Sequence, residues 1–356
     1  MTRPRWRLLD TGLRRAAENI ALNRALLEAR QAGEAPPTLR FLRFAPSALI
    51  GCHQSAAQEL ELDYCRARGI AVQRRITGGG AIYFDPAQLG WELYLDRADA
   101  GTDMAAISRR ICEAAAAGLS RLGVAARFRP RNDIEVEGRK ISGTGGAFDG
   151  DALLYQGTLL IDFDAETMLR VLRVPAAKLS DKAVASVRER VVSLRELLGE
   201  PPPLERIQHT LAAAFAESFG VEWEAAGLVP AEERRFEAAL AEIDTPGWVF
   251  ALDRPRSEAP LLSGSHRCPG GLIHADLLVD TRRRRLKQVW IRGDFFVVPP
   301  RTIADLEAAL RDVPLEDLDS LVEDFFAGRE VQMLQLSPRD FVQAMANALA
   351  SREAVS

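Results

Sequence analysis

Arg74-Arg75-Ile76-Thr77-Gly78-Gly79-Gly80-Ala81-Ile82-Tyr83-Phe84-Asp85 joins two extended segments through paired arginines and a glycine triplet. Ile70 to Arg75 before the glycines and Ala81 to Phe84 after them read as strands. Leu89 to Leu95 follows as another, with Leu89, Trp91, Leu93 and Leu95 on one face. Upstream, Leu13 to Arg30 reads as a helix that Asp10 or Thr11 can cap and Gly33 follows. Thr38 to Phe44 and Ala48 to Gly51 read as strands, and Leu60 to Arg68 as a short helix. Downstream, Met104, Ile107, Ile111, Ala115, Leu119 and Leu122 recur at helical spacing through Thr102 to Gly123. Asp133 to Val136, Glu137-Gly138 and Arg139 to Gly143 then read as a hairpin, and Leu153 to Phe163 as a long strand. Strands joined by hairpins and helices without regular βαβ alternation predict an α+β fold.

A helix over Leu204 to Phe219 follows the break at Pro201-Pro202-Pro203. At 356 residues the chain exceeds what one core usually organises, and Thr245-Pro246-Gly247 offers a boundary. Two domains are expected, residues 1–245 and 246–356. The second holds strands over Gly271 to Val279 and Leu286 to Ile291, then helices over Thr302 to Leu310 and Leu315 to Phe326. A formal net charge of −4 gives no electrostatic reason for a nucleic-acid or anionic-membrane partner. No stretch has the run of roughly 18 apolar residues of a membrane span, and the first ten residues lack the apolar core of a signal peptide, so a cytoplasmic location is expected. Cys52, Cys65, Cys112 and Cys268 have neither zinc-type nor disulfide-framework spacing.

Consecutive glycines let backbone N–H groups approach a ligand closely, and arginines present forks of donors to phosphate. A mobile glycine hairpin beside two solvated arginines fits the same composition. In the hairpin, a two-residue turn at Glu137-Gly138 places Lys140 opposite Glu135 and Ile134 opposite Ile141. That arrangement is an ordinary surface ion pair, except that small Ser142 and Gly143 leave a ligand room to reach the ammonium group. The run Lys178 to Val191 reads by charge alone as a solvated helix face or loop.

Taken together these strings resemble the lipoate-protein ligase A family of the biotin and lipoate ligase superfamily. The resemblance rests on four motifs in order. They are the arginine pair, glycine triplet and strand at Arg74 to Asp85; Arg131-Asn132-Asp133 leading into Gly138-Arg139-Lys140-Ile141-Ser142-Gly143; Gly157-Thr158-Leu159-Leu160; and the run from Lys178-Leu179 and Lys182 through Ser186-Val187-Arg188 to Val191. It implies a mixed, largely antiparallel sheet flanked by helices, with a smaller α+β accessory domain after it. It also implies an enzyme that uses ATP and Mg²⁺ to convert lipoate to the acyl-adenylate lipoyl-AMP, then passes the acyl group to a lysine of a lipoyl carrier domain protein. Lys140 is the implied catalytic residue. The implied ATP and lipoate contacts are Arg75, Thr77, Gly78, Gly79, Gly80, Ala81, Ile82, Tyr83, Asn132, Asp133, Ser142 and Gly143. Lys178 and Lys182 would belong to a loop that closes over the adenylate and shields it from water.

The chemistry suits that set, because a carboxylate attacking the α-phosphate brings two anions together and a lysine between them can bind both. Three departures stand out. Phe84-Asp85 replaces the His-Asp of relatives, Gly51-Cys52-His53-Gln54 differs from their Gly-aromatic or Gly-Arg pattern, and the segment from Thr144 to Tyr155 is unusually rich in glycine and acid. Octanoyltransferases of the same superfamily are the rival reading. Their cysteine nucleophile precedes the strand matching Asp133 to Val136, where this chain has Phe128-Arg129-Pro130-Arg131-Asn132. A non-catalytic lipoate-binding or carrier-binding regulator on the same scaffold is the third.

Overall fold

The computed structural model describes residues 3–130, 132–173, 187–253 and 260–351. Arg131, Lys178 and Lys182, all named above, lie outside the described residues. The chain packs as two compact units: residues 1–49, 61–73 and 82–245 form the first, and residues 50–60, 74–81 and 246–356 the second.

The first unit is built on an eight-stranded mixed sheet. Its strands are β1 (Arg5–Arg14), β2 (Thr38–Phe44), β6 (Gln88–Asp96), β7 (Ala126–Arg129), β8 (Asp133–Val136), β9 (Arg139–Asp149), β10 (Ala152–Leu160) and β11 (Glu222–Ala225), in the spatial order β11-β1-β2-β6-β10-β9-β8-β7. β1 runs parallel to both β11 and β2, and the other pairs are antiparallel. The sheet is therefore largely antiparallel, as the resemblance implied. β3 (Ser47–Ile50) and β5 (Ile82–Phe84) pair antiparallel in a smaller sheet completed by β4 (Ala71–Arg74).

The central strands are buried on both faces, and side-chain alternation sorts which residues meet which layer. Leu89, Trp91, Leu93 and Leu95 of β6 and Leu153, Tyr155 and Leu159 of β10 share one core with Ile107, Ile111 and Leu119 of helix Met104–Ser120 and with Leu211 and Phe215 of helix Leu204–Phe219. Trp91 lies flat over Gly157, where a Cβ would fall 2.1 Å from Trp91 Cζ2. The glycine of the Gly157-Thr158 motif is thus a packing requirement, since any larger residue expels a buried indole. The opposite face carries helix Ala16–Gln31 over a buried polar network. Arg40 pairs with Glu92 at 2.9 Å, and Asn19, Asn23 and Tyr94 supply hydrogen bonds around them.

Two sequence expectations need correction. Leu13 and Arg14 belong to β1, and the helix starts at Ala16 after Arg15, whose backbone N–H donates to Glu18. Asp10, expected as a cap, instead accepts from the backbone of Gly12 at an irregularity in β1 where Gly12 has φ +65°. In the hairpin, a register shift sets Ser142 opposite Ile134, so Ile134 and Ile141 do not pair. A β-bulge of this kind adds one residue to one strand and re-aims the side chains beyond it.

In the second unit β12 (Leu262–Cys268), β13 (Gly271–Asp280), β14 (Arg285–Gly293) and a short strand at Val313–Pro314 form an antiparallel sheet. Helices Arg301–Ala309, Leu318–Ala327 and Pro338–Ala350 contribute Leu306, Val322, Phe326, Phe341 and Met345 to a core of its own. No described helix is long and apolar enough to cross a membrane.

Candidate active site

β8, β9 and β10 lay Asp133, Gly143 and Thr158 side by side. Asp133 is opposite Gly143, and the Thr158 hydroxyl lies 3.3 Å from the Gly143 backbone nitrogen. Lys140 arches back over Gly143: a Cβ there would meet Lys140 Nζ at 2.7 Å and Cε at 2.8 Å. The ammonium ends 2.7 Å from Asp133 Oδ1, with about a third of the side chain open to solvent. Its backbone is pinned on both sides, N–H to Arg190 O and C=O to Val192 N–H. The register sets Lys140 opposite Glu135 as the hairpin pattern predicts, but the ion pair expected between them does not form: Glu135 is engaged by Arg127 at 2.8 Å and the ammonium reaches Asp133. Burial pushes the Asp133 carboxyl up, but the Lys140 ammonium and Arg129 outweigh it and leave the group below its ordinary value. Asp133 is therefore an anion at neutral pH.

Gly143→Ala should consequently displace the lysine while sparing the fold, since the new methyl meets only a movable side chain. Steady-state kinetics should show activity down by roughly tenfold or more with an unchanged thermal midpoint. Full activity in that variant would mean that the lysine does not work from this seat.

Asn132 and Ser142 have different surroundings. The Asn132 amide donates to Thr144 O at 2.9 Å, while its own carbonyl accepts from both the backbone N–H and the hydroxyl of Thr144. Ser142 is buried beside Ile134 with no partner for its hydroxyl among the described residues. Strand alternation places it on the face of Thr144, away from Gly143. On that face Cys112 Sγ, Thr144 Oγ1 and Tyr155 Oη lie 3.0 to 3.3 Å from one another.

The glycine triplet packs within the second unit. A Cβ on Gly78 would meet Phe295 O at 2.5 Å, and one on Gly79, whose φ is +91°, would meet Phe296 Cζ at 2.9 Å. Gly80 is exposed, with Asp294 Cβ at 3.9 Å as its nearest neighbour. Two of the three glycines thus answer to the Phe295-Phe296 pair, and the third has room for a ligand. Thr77 O accepts from Cys52 N–H at 2.9 Å. Arg75 folds into its own loop and donates to Gly78 O and Gly80 O at 3.1 and 2.9 Å. Burial lowers its pKa to about 10, so it stays charged at neutral pH.

Arg74, the other arginine of the pair, spends its guanidinium on the backbone. Its guanidinium donates to Gly51 O, Cys52 O and Gln54 O on one segment and to Trp248 O and Val249 O on another, at 2.6 to 3.2 Å. Trp248 Nε1–H returns a bond to Arg74 O at 3.0 Å. A pairing 174 residues apart leaves no local signal. Ala81 is half-buried and Ile82 and Tyr83 run into β5, where Tyr83 is buried opposite Ala48 and its hydroxyl is pushed up to about 12. Phe84 packs on Phe44 with ring centroids 4.7 Å apart, which makes it core. His53 stacks on Phe295 and is lowered to about 4 by burial, so it is neutral.

The model of the lipoyl protein ligase A/B catalytic domain matches residues 15–216. Octanoyltransferase LipM of Kyrpidia tusciae is 32% identical over 69% of this chain and 98% of its own length. Lipoate-protein ligase LplJ of Bacillus subtilis is 30% identical over 74% of this chain and 78% of its own. Among solved structures, a bipartite lipoate protein ligase from Thermoplasma acidophilum, described with its E2 lipoyl domain, superposes with a TM-score of 0.62 at 29% identity, covering 71% of this chain and 99% of that one. A lipoate-protein ligase A bound with ATP gives 0.62 at 27% over 70% and 99%. The LipL1 protein of P. falciparum, solved with lipoate, gives 0.74 at 18% over 97% and 99%, a likeness of fold that extends through the second unit. With ligases and octanoyltransferases both among its relatives, the protein is an enzyme of that joint group. It belongs to the lipoate-protein ligase family of the biotin and lipoate ligase superfamily.

Proposed function

We propose that this enzyme activates free lipoate with ATP as lipoyl-AMP and transfers the lipoyl group to a lysine of a lipoyl carrier domain. The observation that carries the reading is the placement of Lys140, a partly exposed ammonium seated over Gly143 and 2.7 Å from Asp133. Lys140 binds the attacking carboxylate and the α-phosphate together, offsetting their repulsion as the mixed anhydride forms and pyrophosphate departs. Gly80, with Ala81 and the Arg75-braced backbone, offers N–H groups to the phosphates. Ile82, Tyr83, Asn132 and Ser142 are assigned to substrate binding on motif likeness, Ser142 from the face of β9 opposite Gly143. Lys178 and Lys182 are assigned to the loop that shields the intermediate. In the second step the carrier amine, with an ordinary pKa of about 10.4, must lose its proton before it attacks the anhydride.

Residues 1–245 are assigned as the catalytic domain and 246–356 as the accessory domain. Since residues 74–81 pack with the latter, the accessory region is given a share in holding the nucleotide loop. Magnesium would travel with the ATP phosphates. Among the described residues no three His, Cys, Asp or Glu side chains gather as a metal site, and no step above runs through the ion.

The octanoyltransferase reading has the LipM relatives in its favour, and it requires a nucleophilic thiolate. Cys52 has its thiol pushed up to about 12 by burial. Cys65 and Cys112 are raised by burial as well, Cys112 while sharing hydrogen bonds with Thr144 and Tyr155. Cys268 donates to Gly271 O across a tight turn. A variant with all four replaced by serine should keep ATP-dependent lipoylation within about threefold of the native rate, a modest packing loss. If transfer from an octanoyl carrier without ATP were the native activity, and one of these replacements removed it, the ligase reading would fall.

A further inference from the structure

Outside the residues assigned above, β7 carries two arginines that continue the line of charge from Lys140 to the edge of the sheet. Lys140 Nζ is 2.7 Å from Asp133 Oδ1, and Arg129 Nη2 is 2.5 Å from Asp133 Oδ2. Arg129 Nη1 lies 3.6 Å from Glu135 Oε2, and Arg127 Nε lies 2.8 Å from Glu135 Oε1. Five charges of alternating sign therefore cross β9, β8 and β7. The two carboxylates are largely withdrawn from water, with side chains 16% and 8% exposed, whereas both arginines keep much of their hydration. Water alone does not neutralise the acids, so their charge falls on neighbouring cations.

We propose that Arg127 and Arg129 neutralise the carboxylates of β8 so that the charge of Lys140 is the surplus one, free to pass from Asp133 to the acyl carboxylate and phosphate. The inference rests on the adenylation reading and assigns two positioning residues to it. Three cations face two carboxylates in the native ladder. Without Arg129 the charges balance, and an anion drawing Lys140 away would leave Asp133 half-buried and unpaired, a state that is strongly disfavoured. With Arg129 in place the carboxylate keeps one partner throughout the exchange. The half-exposure of Arg129 sets the scale, because solvent screens such a pair and limits its worth. Guarding the sheet edge with charge would account for the arginines alone. It does not account for their convergence on the two acids nearest the lysine.

The test is calorimetric titration of lipoate into the full-length protein. Arg129→Gln should weaken the dissociation constant about fivefold, with an unchanged circular dichroism spectrum. Arg129→Lys should bind almost as the native protein does, and Arg127→Gln should show a smaller loss. The decisive variant is Arg129→Gln combined with Asp133→Asn, which removes the carboxylate that would be orphaned and should bind more tightly than Arg129→Gln alone. A role confined to strand edge or stability predicts no such recovery. Native affinity in Arg129→Gln, failure of Asp133→Asn to suppress it, or absence of lipoate binding by the native protein each overturns the inference. Pyrophosphate release on the same samples reports on the ligase reading separately. Affinity that follows Arg129 in a protein releasing no pyrophosphate would keep the charge ladder and reject adenylation.

Discussion

Lys140→Ala is expected to lower lipoate-dependent pyrophosphate release by roughly a thousandfold, the scale of losing the main stabiliser of charge that develops in the transition state. The fold should survive, because the side chain is a third exposed and its ion pair with Asp133 is shared by Arg129. Removing the ammonium leaves Asp133 with that second partner, so no buried orphan charge is created. Lys140→Arg should recover little. The guanidinium is broader than an ammonium, and Gly143 gives clearance for a narrow group lying across it. Pyrophosphate release by Lys140→Ala within tenfold of native would show that another group binds the reacting oxygens.

Arg74→Ala is expected to have the largest effect on stability, about 3 kcal/mol or more, since it strips five backbone carbonyls of a shared donor in a buried setting. Segments 51–54 and 248–249 should both loosen, and with them the loop that starts at Arg75. Lysine should not rescue: one ammonium cannot span carbonyls on two segments as the planar fork does. Urea unfolding would read the loss as a lower midpoint, and a change below about 1 kcal/mol would contradict the clasp.

What the sequence disclosed depended on how local the cause was. Leu89, Trp91, Leu93 and Leu95 alternate cleanly because one face of β6 meets the core, and helix Leu204–Phe219 follows a proline break, so both were legible. β1 was not, since its irregularity at Asp10 to Leu13 breaks the alternation and its neighbours resemble a helix cap. β12, with Ser263, Gly264, Ser265 and His266 in a row, is held by its pairing with β13, and its own residues carry little strand signal. Helices Pro230–Ile243 and Pro338–Ala350 likewise go beyond what the sequence pattern discloses.

At the site, motif likeness singled out Lys140 and the glycine triplet, which come to the reader in short runs. The hairpin pattern discloses that Lys140 stands opposite Glu135, and it does not disclose that the ammonium reaches along the strand pair to Asp133. The duty of Gly78 and Gly79 to Phe295 and Phe296, and of Arg74 to Trp248 and Val249, spans stretches of chain that no spacing rule connects. Arg127 and Arg129 carry no local signal, and only the strand register sets them against Glu135 and Asp133.

The central claim, that activation proceeds through an adenylate, is tested most directly by mass spectrometry of an unmodified lipoyl carrier domain incubated with the full-length protein, free lipoate, ATP and magnesium. The account predicts a gain of one lipoyl group per carrier, with one pyrophosphate released per transfer and no acyl group retained on any of the four cysteines. An unmodified carrier under those conditions, becoming acylated only when octanoyl carrier protein is supplied and ATP is withheld, would contradict it.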